Sequence, residues 1–159
     1  MGRWHYGNFR FTILDLKRMN REEIKKIIPH REPMLLIDTV NLVEENLVHA
    51  TYYVRGDEFF LQGHYPDNPV VPGVILCEIM AQASCLLVVK ELVNRTPFYA
   101  GIDKVRFKKQ VKPGDTIDIY AYITQNRGLL FYVQAEAKVN EQLCTSGELT
   151  FMLIDNDKL

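Results

Sequence analysis

The sequence predicts an α+β domain in which an antiparallel sheet wraps one long, buried helix. Two observations carry this expectation. The stretch from Val74 to about Asn94 has helical character but is apolar nearly all round in its first turns, whereas a surface helix is apolar on one stripe only. On either side of it, β-prone runs alternate with turn residues, giving the order helix, hairpin, long helix, antiparallel meander. At 159 residues the chain suits one domain and leaves little room for a second.

From the N-terminus, residues 1–18 mix aromatic and basic side chains without a clear period and stand apart as an extension. They are expected to be either a reading upstream of a physiological start at Met19 or a genuine strand or arm; residues 19–159 form the expected single domain. Asn20 sits three residues before Glu23, the spacing of a capping box, and Ile24, Ile27 and Ile28 then share one face until Pro29 ends the helix. Met34 to Val43 and Leu47 to Val54 read as hairpin partners across Glu44-Glu45-Asn46. Residues 63–73 hold three prolines and two glycines and form an irregular loop. After the long helix, strands are expected at Phe98–Lys109, Thr116–Gln125, Leu129–Val139 and Leu143–Ile154. Lys112-Pro113-Gly114-Asp115, Asn126-Arg127-Gly128 and Asn140-Glu141-Gln142 connect them.

Composition narrows the function classes. Apolar residues make up 47% and charged residues 25%, an ordinary globular mixture, and the net charge of -1 gives no global field for nucleic acid or anionic membrane. Cys77, Cys85 and Cys144 form no CxxC pair and read as reduced thiols, which fits the cytoplasm. No signal peptide is visible. The strongest membrane candidate, Val74 to Val89, is interrupted by Glu78, Gln82 and Ser84, and as a helix spans only about 24 Å, short of a bilayer core.

The chemistry concentrates in Gly63-His64-Tyr65-Pro66-Asp67-Asn68-Pro69-Val70-Val71-Pro72-Gly73-Val74, followed by Glu78 and Gln82. Proline fixes φ at three points of this loop, so its few polar groups hold set directions. Gly73 precedes the buried helix, where free N–H groups and the helix dipole favour a developing thioester oxyanion. Glu78 and Gln82, four residues apart, share one helix face. Burial in an apolar helix raises a carboxyl's pKa, so Glu78 is expected to rest protonated as a general acid, with His64 as base. Blander readings stand beside these. A loop histidine is often structural, a Glu–Gln pair is often a buried hydrogen bond or an interface contact, and a three-proline loop can be a rigid connector. None of them accounts for the combination. No second His or Cys lies at ligand spacing from His64, so no metal is expected.

At these residues the chain resembles the bacterial 3-hydroxyacyl-acyl-carrier-protein dehydratases of the FabZ type. The likeness runs from about Asn20 to Ile154. It includes Ile28-Pro29-His30-Arg31-Glu32-Pro33-Met34-Leu35-Leu36-Ile37-Asp38, the His64 loop, Glu78-Ile79-Met80-Ala81-Gln82, Ala100-Gly101-Ile102-Asp103-Lys104-Val105-Arg106-Phe107 and Val111-Lys112-Pro113-Gly114-Asp115. The resemblance implies a hot-dog fold, no cofactor, homodimers with shared active sites that assemble as trimers of dimers, and 3-hydroxyacyl chains on acyl carrier protein as substrate. It also implies roles. His64 is the catalytic histidine, and Glu78 the catalytic acid contributed by the other subunit. The Gly73 amide binds the thioester oxygen, the Val70 carbonyl orients the histidine, and Gln82 steadies the carboxylate. His30 and Arg31 match a motif read as structural. Tyr65 stands where phenylalanine is commoner, and glutamate at 78 argues for the FabZ type over its dehydratase-isomerase relative.

Lys104, Arg106, Lys108, Lys109 and Lys112 form a basic cluster suited to docking acidic carrier protein, with alternation placing Lys104, Arg106 and Lys108 on one strand face. An ordinary solvated edge is the alternative. Phe98 and Tyr99, with the helix's apolar positions, are candidates to line an acyl tunnel or to be plain core. Two other functions fit the same scaffold: a thioesterase, and a non-enzymatic acyl sensor. A sensor of that kind carries a DNA-binding segment, for which one confident helix before Pro33 is too little.

Overall fold

A computed structural model describes residues 4–6, 9–11 and 18–159. Helix α1 (Arg21–Ile24) opens on the expected box: the Glu23 N–H donates to the Asn20 side chain at 3.1 Å, and the Asn20 N–H donates to the Glu23 carboxylate at 2.8 Å. Ile24, Ile27 and Ile28 are all buried. Strands β1 (Trp4–Tyr6) and β2 (Phe9–Phe11) pair as a separate hairpin within the N-terminal segment; residues 1–3, 7–8 and 12–17 of that segment lie outside the described residues.

Strands β3 (Thr39–Glu44), β4 (Leu47–Tyr53), β5 (Arg95–Phe107), β6 (Thr116–Arg127), β7 (Leu130–Val139) and β8 (Gln142–Asp155) form one antiparallel sheet in the order β3-β4-β6-β7-β8-β5. Helix α2 (Gly73–Cys85) lies against it. This is the hot-dog arrangement. The period-two pattern dictates which side faces the helix: Phe131, Val133, Ala135, Ala137 and Val139 of β7 are buried while their neighbours are not. Ala121, Ala135 and Ala137 are small, which leaves room for Ile79, Met80 and Ala83 of the helix in the same buried cluster.

Two elements differ from expectation. The α-helix ends at Cys85, not near Asn94, and continues as a 3₁₀ turn over Leu86–Val88 and further turns to Asn94. The β-branched pair Val88-Val89 weakens the helix, and Asn94 (φ 56°) turns the chain so that Arg95 pairs with Asp155 of β8. Strand β5 therefore begins at Arg95 and not at Phe98. Likewise Met34–Asp38 forms no strand and β3 starts only at Thr39, although the Asp38 N–H already donates to the Thr51 carbonyl of β4 at 2.8 Å. Other polar groups of this segment are taken elsewhere: the Leu36 N–H donates to the Gln82 side chain at 2.8 Å, and the Asp38 side chain accepts from Arg21 and Arg55. Among the described residues no helix is long and apolar enough to cross a membrane.

Strand β5 is an outer edge, bonded on one side to β8 and on the other to nothing among the described residues. It is long, and Phe98 (43%), Ile102 (49%) and Phe107 (56%) are exposed along it.

Candidate active site

The His64 loop is fixed by its own backbone. A 3₁₀ turn, Phe59–Leu61, buries Phe60 and Leu61, and the His64 N–H donates to the Leu61 carbonyl at 3.1 Å. Tyr65 takes φ 57°, a left-handed conformation unusual for a bulky residue and a mark of a constrained loop. The Asn68 N–H closes the turn onto Tyr65 O at 2.8 Å, and the Val71 N–H ties the loop to Val111 O at 2.8 Å. The His64 ring is held at 2.9 Å, Nδ1 to the Val70 carbonyl. A carbonyl oxygen only accepts, so Nδ1 carries the hydrogen and Nε2 of the neutral ring presents its lone pair.

Pro72 leads into α2 without a side-chain cap, and its carbonyl accepts from the Ile75 and Leu76 N–H groups at 2.9 and 3.3 Å. The helix start leaves the Gly73 and Val74 N–H groups without intrahelical acceptors. Gly73 is a close approach: a Cβ there would sit 2.7 Å from Cε1 of the Phe107 ring. His64, Val70, Gly73, Phe107, Lys108 and Lys109 are among the residues lining one open groove of about 560 Å³.

Glu78 lies elsewhere. Oε1 accepts from the Gln82 amide at 2.8 Å and lies 3.4 Å from Nε2 of His30. Gln82, fully buried, also donates to Met34 O at 2.7 Å and accepts from the Leu36 N–H. His30, Glu78, Gln82, Cys85, Phe98 and Tyr99 line a small cavity of about 70 Å³. Burial pushes the Glu78 carboxyl up, but the His30 and Gln82 donors and the charge interaction with His30 outweigh it and hold Glu78 below its ordinary value. This corrects the expectation of a resting protonated acid: the sequence showed the burial but not the donors. Beside it, burial and then the Glu78 charge push the Cys85 thiol up to about 12. Gly73 and Glu78 are five residues apart, about 140° around the helix and about 7.5 Å along it. One chain therefore holds His64 and Glu78 in separate cavities on different faces of α2.

With this geometry in view, comparison with known proteins is decisive. The FabA-like domain model matches residues 28–148. The 3-hydroxyacyl-[acyl-carrier-protein] dehydratase FabZ of Clostridium perfringens is 47% identical over 137 residues, 85% of this chain and 99% of that protein. The chain belongs to the FabZ family of dehydratases. The FabZ of Bacillus velezensis is 45% identical over 138 residues, 85% of this chain and 98% of its own. A solved chain of the ApeI:P dehydratase heterocomplex from Xenorhabdus doucetiae superposes with a TM-score of 0.75 at 22% identity, covering 84% of this chain and 92% of that one, and shows the shared fold.

Within this FabZ-family chain, two sequence expectations need adjustment, the shared face of the basic cluster and the role of His30. Lys104, Arg106 and Lys108 do not form one strand face. The register shifts between Asp103 and Arg106, where Lys104 takes φ 50°, and β5 ends at Phe107 before Lys108. Lys104 pairs with Glu148 at 2.9 Å and Lys109 with Gln142, while Lys108 and Lys109 line the His64 groove. Arg31 donates to the carbonyls of Ile28 and His30, a local structural role. His30 is different: its side chain faces Glu78, which the sequence motif alone did not signal. Among the described residues no group of three or more His, Cys, Asp or Glu gathers as a metal would need.

Proposed function

We propose that the protein dehydrates 3-hydroxyacyl chains carried on acyl carrier protein to trans-2-enoyl chains, in the cytoplasm, with His64 as base and Glu78 as acid. The observation that carries the assignment of the base is the Val70 contact, which fixes the tautomer and leaves Nε2 of His64 free in the groove. A thioester lying in that groove meets the Gly73 and Val74 amides at the helix start, where the enolate-like oxygen that forms on proton removal from the α-carbon is stabilised. Lys108 and Lys109 at the groove give acidic carrier protein a local positive surface.

The acid comes from a second subunit. Phe98 and Tyr99, near the start of β5, line the Glu78 cavity, and Phe107, at its end, lines the His64 groove. Two β5 edges paired antiparallel about a two-fold axis near Ile102 set the start of one strand beside the end of the other. The partner subunit's Glu78 then comes beside His64 of the first chain. An exposed apolar edge of this length calls for such pairing, and a two-fold contact of this kind is self-complementary. Assembly of these dimers in threes is tested by mass in solution.

In the reaction, Glu78, which rests ionised, first takes a proton from solvent. His64 Nε2 then removes the proton beside the carbonyl while Glu78 delivers its proton to the departing hydroxyl, which leaves as water, and His64 returns its proton to solvent. In the reverse direction ionised Glu78 takes a proton from the attacking water. The test is the loss of ultraviolet absorbance of a crotonyl thioester on addition of the protein, with thiol release followed in the same samples. Hydration by the wild type, lost by at least about 10²-fold in His64→Ala and Glu78→Gln variants that keep their fold, supports the reading. Thiol release without hydration points to a thioesterase and refutes it.

A further inference from the structure

The His30 side chain lies beside the Glu78 carboxylate and makes no other polar contact among the described residues. Its Nε2 is 3.4 Å from Oε1 of Glu78, and its Nδ1 is buried without a partner. A carboxylate oxygen only accepts, so in either charge state of the ring Nε2 can serve as the donor. Gln82 donates to the same oxygen. Gln82 by a hydrogen bond and His30 by this 3.4 Å contact both converge on Oε1. The backbone around His30 is held by other means, with Arg31 donating to the His30 carbonyl, so local structure does not depend on the imidazole.

We propose that His30 is a positioning residue for the dehydration, acting with Gln82 to anchor Oε1 of Glu78 so that Oε2 is the oxygen that exchanges a proton with the substrate hydroxyl. This rests on the dehydratase reading and on the acid role of Glu78. In dehydration Oε2–H gives its proton to the hydroxyl, the C–O bond breaks with its electron pair on oxygen, and water leaves Glu78 as carboxylate. In hydration the same oxygen takes the proton back from water. His30 stabilises the carboxylate form through Oε1 in both directions and is itself neither consumed nor changed.

The groups facing Glu78 are few. Gln82 and Cys85 come from α2, His30 from the segment after α1, and Tyr99 from β5, its hydroxyl donating to Cys77 O at 2.7 Å. Phe151 of β8 completes the wall and does not titrate. Cys85 and Tyr99 are both pushed up, first by burial, and stay neutral near pH 7. Among the described residues of this wall, His30 and Gln82 stabilise the carboxylate, and of these two His30 can add charge to the interaction; in the proposed dimer, His64 of the partner subunit faces Glu78 as well. Loss of the imidazole leaves burial less opposed, and the Glu78 carboxyl rises.

The experiment is the pH profile of kcat/KM for hydration of the crotonyl thioester in the wild type, His30→Ala, His30→Gln and Glu78→Gln. Hydration needs ionised Glu78, so its acid limb reports that group. In His30→Ala the limb moves to higher pH, so activity on that limb falls several-fold more than activity on the plateau. His30→Gln keeps an N–H donor and returns the limb toward the wild-type position. The Glu78 carboxyl is also titrated directly, by isotope-edited infrared absorption in the His64→Ala background with and without His30; its midpoint rises when His30 is removed. An unchanged limb and midpoint in His30→Ala, or an equal loss at every pH, overturns the positioning role while leaving the dehydratase reading intact. A wild type that does not hydrate, or full activity in Glu78→Gln, refutes the reading and with it the inference.

Discussion

Gln82→Ala removes three hydrogen bonds from the centre of the molecule in one step. Gln82 is 1% exposed and joins the Leu36 N–H, the Met34 carbonyl and the Glu78 carboxylate at 2.8, 2.7 and 2.8 Å. Alanine offers none of them a partner. A stranded buried N–H costs about 1–3 kcal/mol, and loss of a bond to a charged acceptor a further 1.5–3 or so, reduced here because Glu78 is partly exposed to water. The cavity left by the missing side chain adds to this, so a total of about 3–5 kcal/mol is expected, a large part of the net stability of a domain this size. The assay is urea unfolding at fixed protein concentration, since the midpoint of the proposed dimer depends on concentration. Gln82→Met restores volume but no donor or acceptor and is expected to recover about 1 kcal/mol at most. A loss below about 1 kcal/mol in the alanine variant, or a methionine variant as stable as the wild type, refutes the view that this amide ties the Met34–Asp38 segment to the helix.

Three further substitutions have expected outcomes. Glu32 is held down at about 2, first by Lys25 and then by its own backbone N–H and Arg21. A carboxylate depressed in the folded state stabilises it above the ordinary value of 4.5 and loses that contribution as pH falls toward about 2, so Lys25→Met moves the Glu32 midpoint in an NMR titration up toward 4.5. Gly73→Ala brings a Cβ to 2.7 Å from the Phe107 ring; because that ring is exposed it can swing, so the fold survives while the groove narrows and hydration falls by at least about tenfold. Ile102→Lys on each of two facing β5 edges sets like charges near the proposed axis, and light scattering is expected to report monomer with hydration lost together.

Much of this architecture was legible in the sequence, for identifiable reasons. The capping box at Asn20 and Glu23 is a local device whose two hydrogen bonds span three residues, so spacing alone specified it. The strands β6, β7 and β8 were legible because alternation and turn residues are also local. The end of α2 was not. The apolar run continues past Cys85 without interruption, and the pairing of Arg95 with Asp155, sixty residues away, fixes where the turns after the helix give way to β5. The same limit applies to the basic cluster, where alternation assumed a regular strand and the bulge at Lys104 broke it.

The sequence by itself determined the residue types at the site and their order. A proline-stiffened loop carrying His64 precedes a glycine at a helix start, and an apolar helix carries Glu78 and Gln82 on one face. Tertiary structure alone decided the state and company of Glu78. Burial is visible in an apolar sequence, but the donors that overcome it arrive from His30, forty-eight residues earlier, and from a Gln82 amide held by Met34 and Leu36. It also placed His64 and Glu78 on separate faces of one chain, because five residues turn a helix by well over a quarter circle. Local spacing sets which groups share an element; only the packing of distant segments sets which charges a buried carboxylate meets.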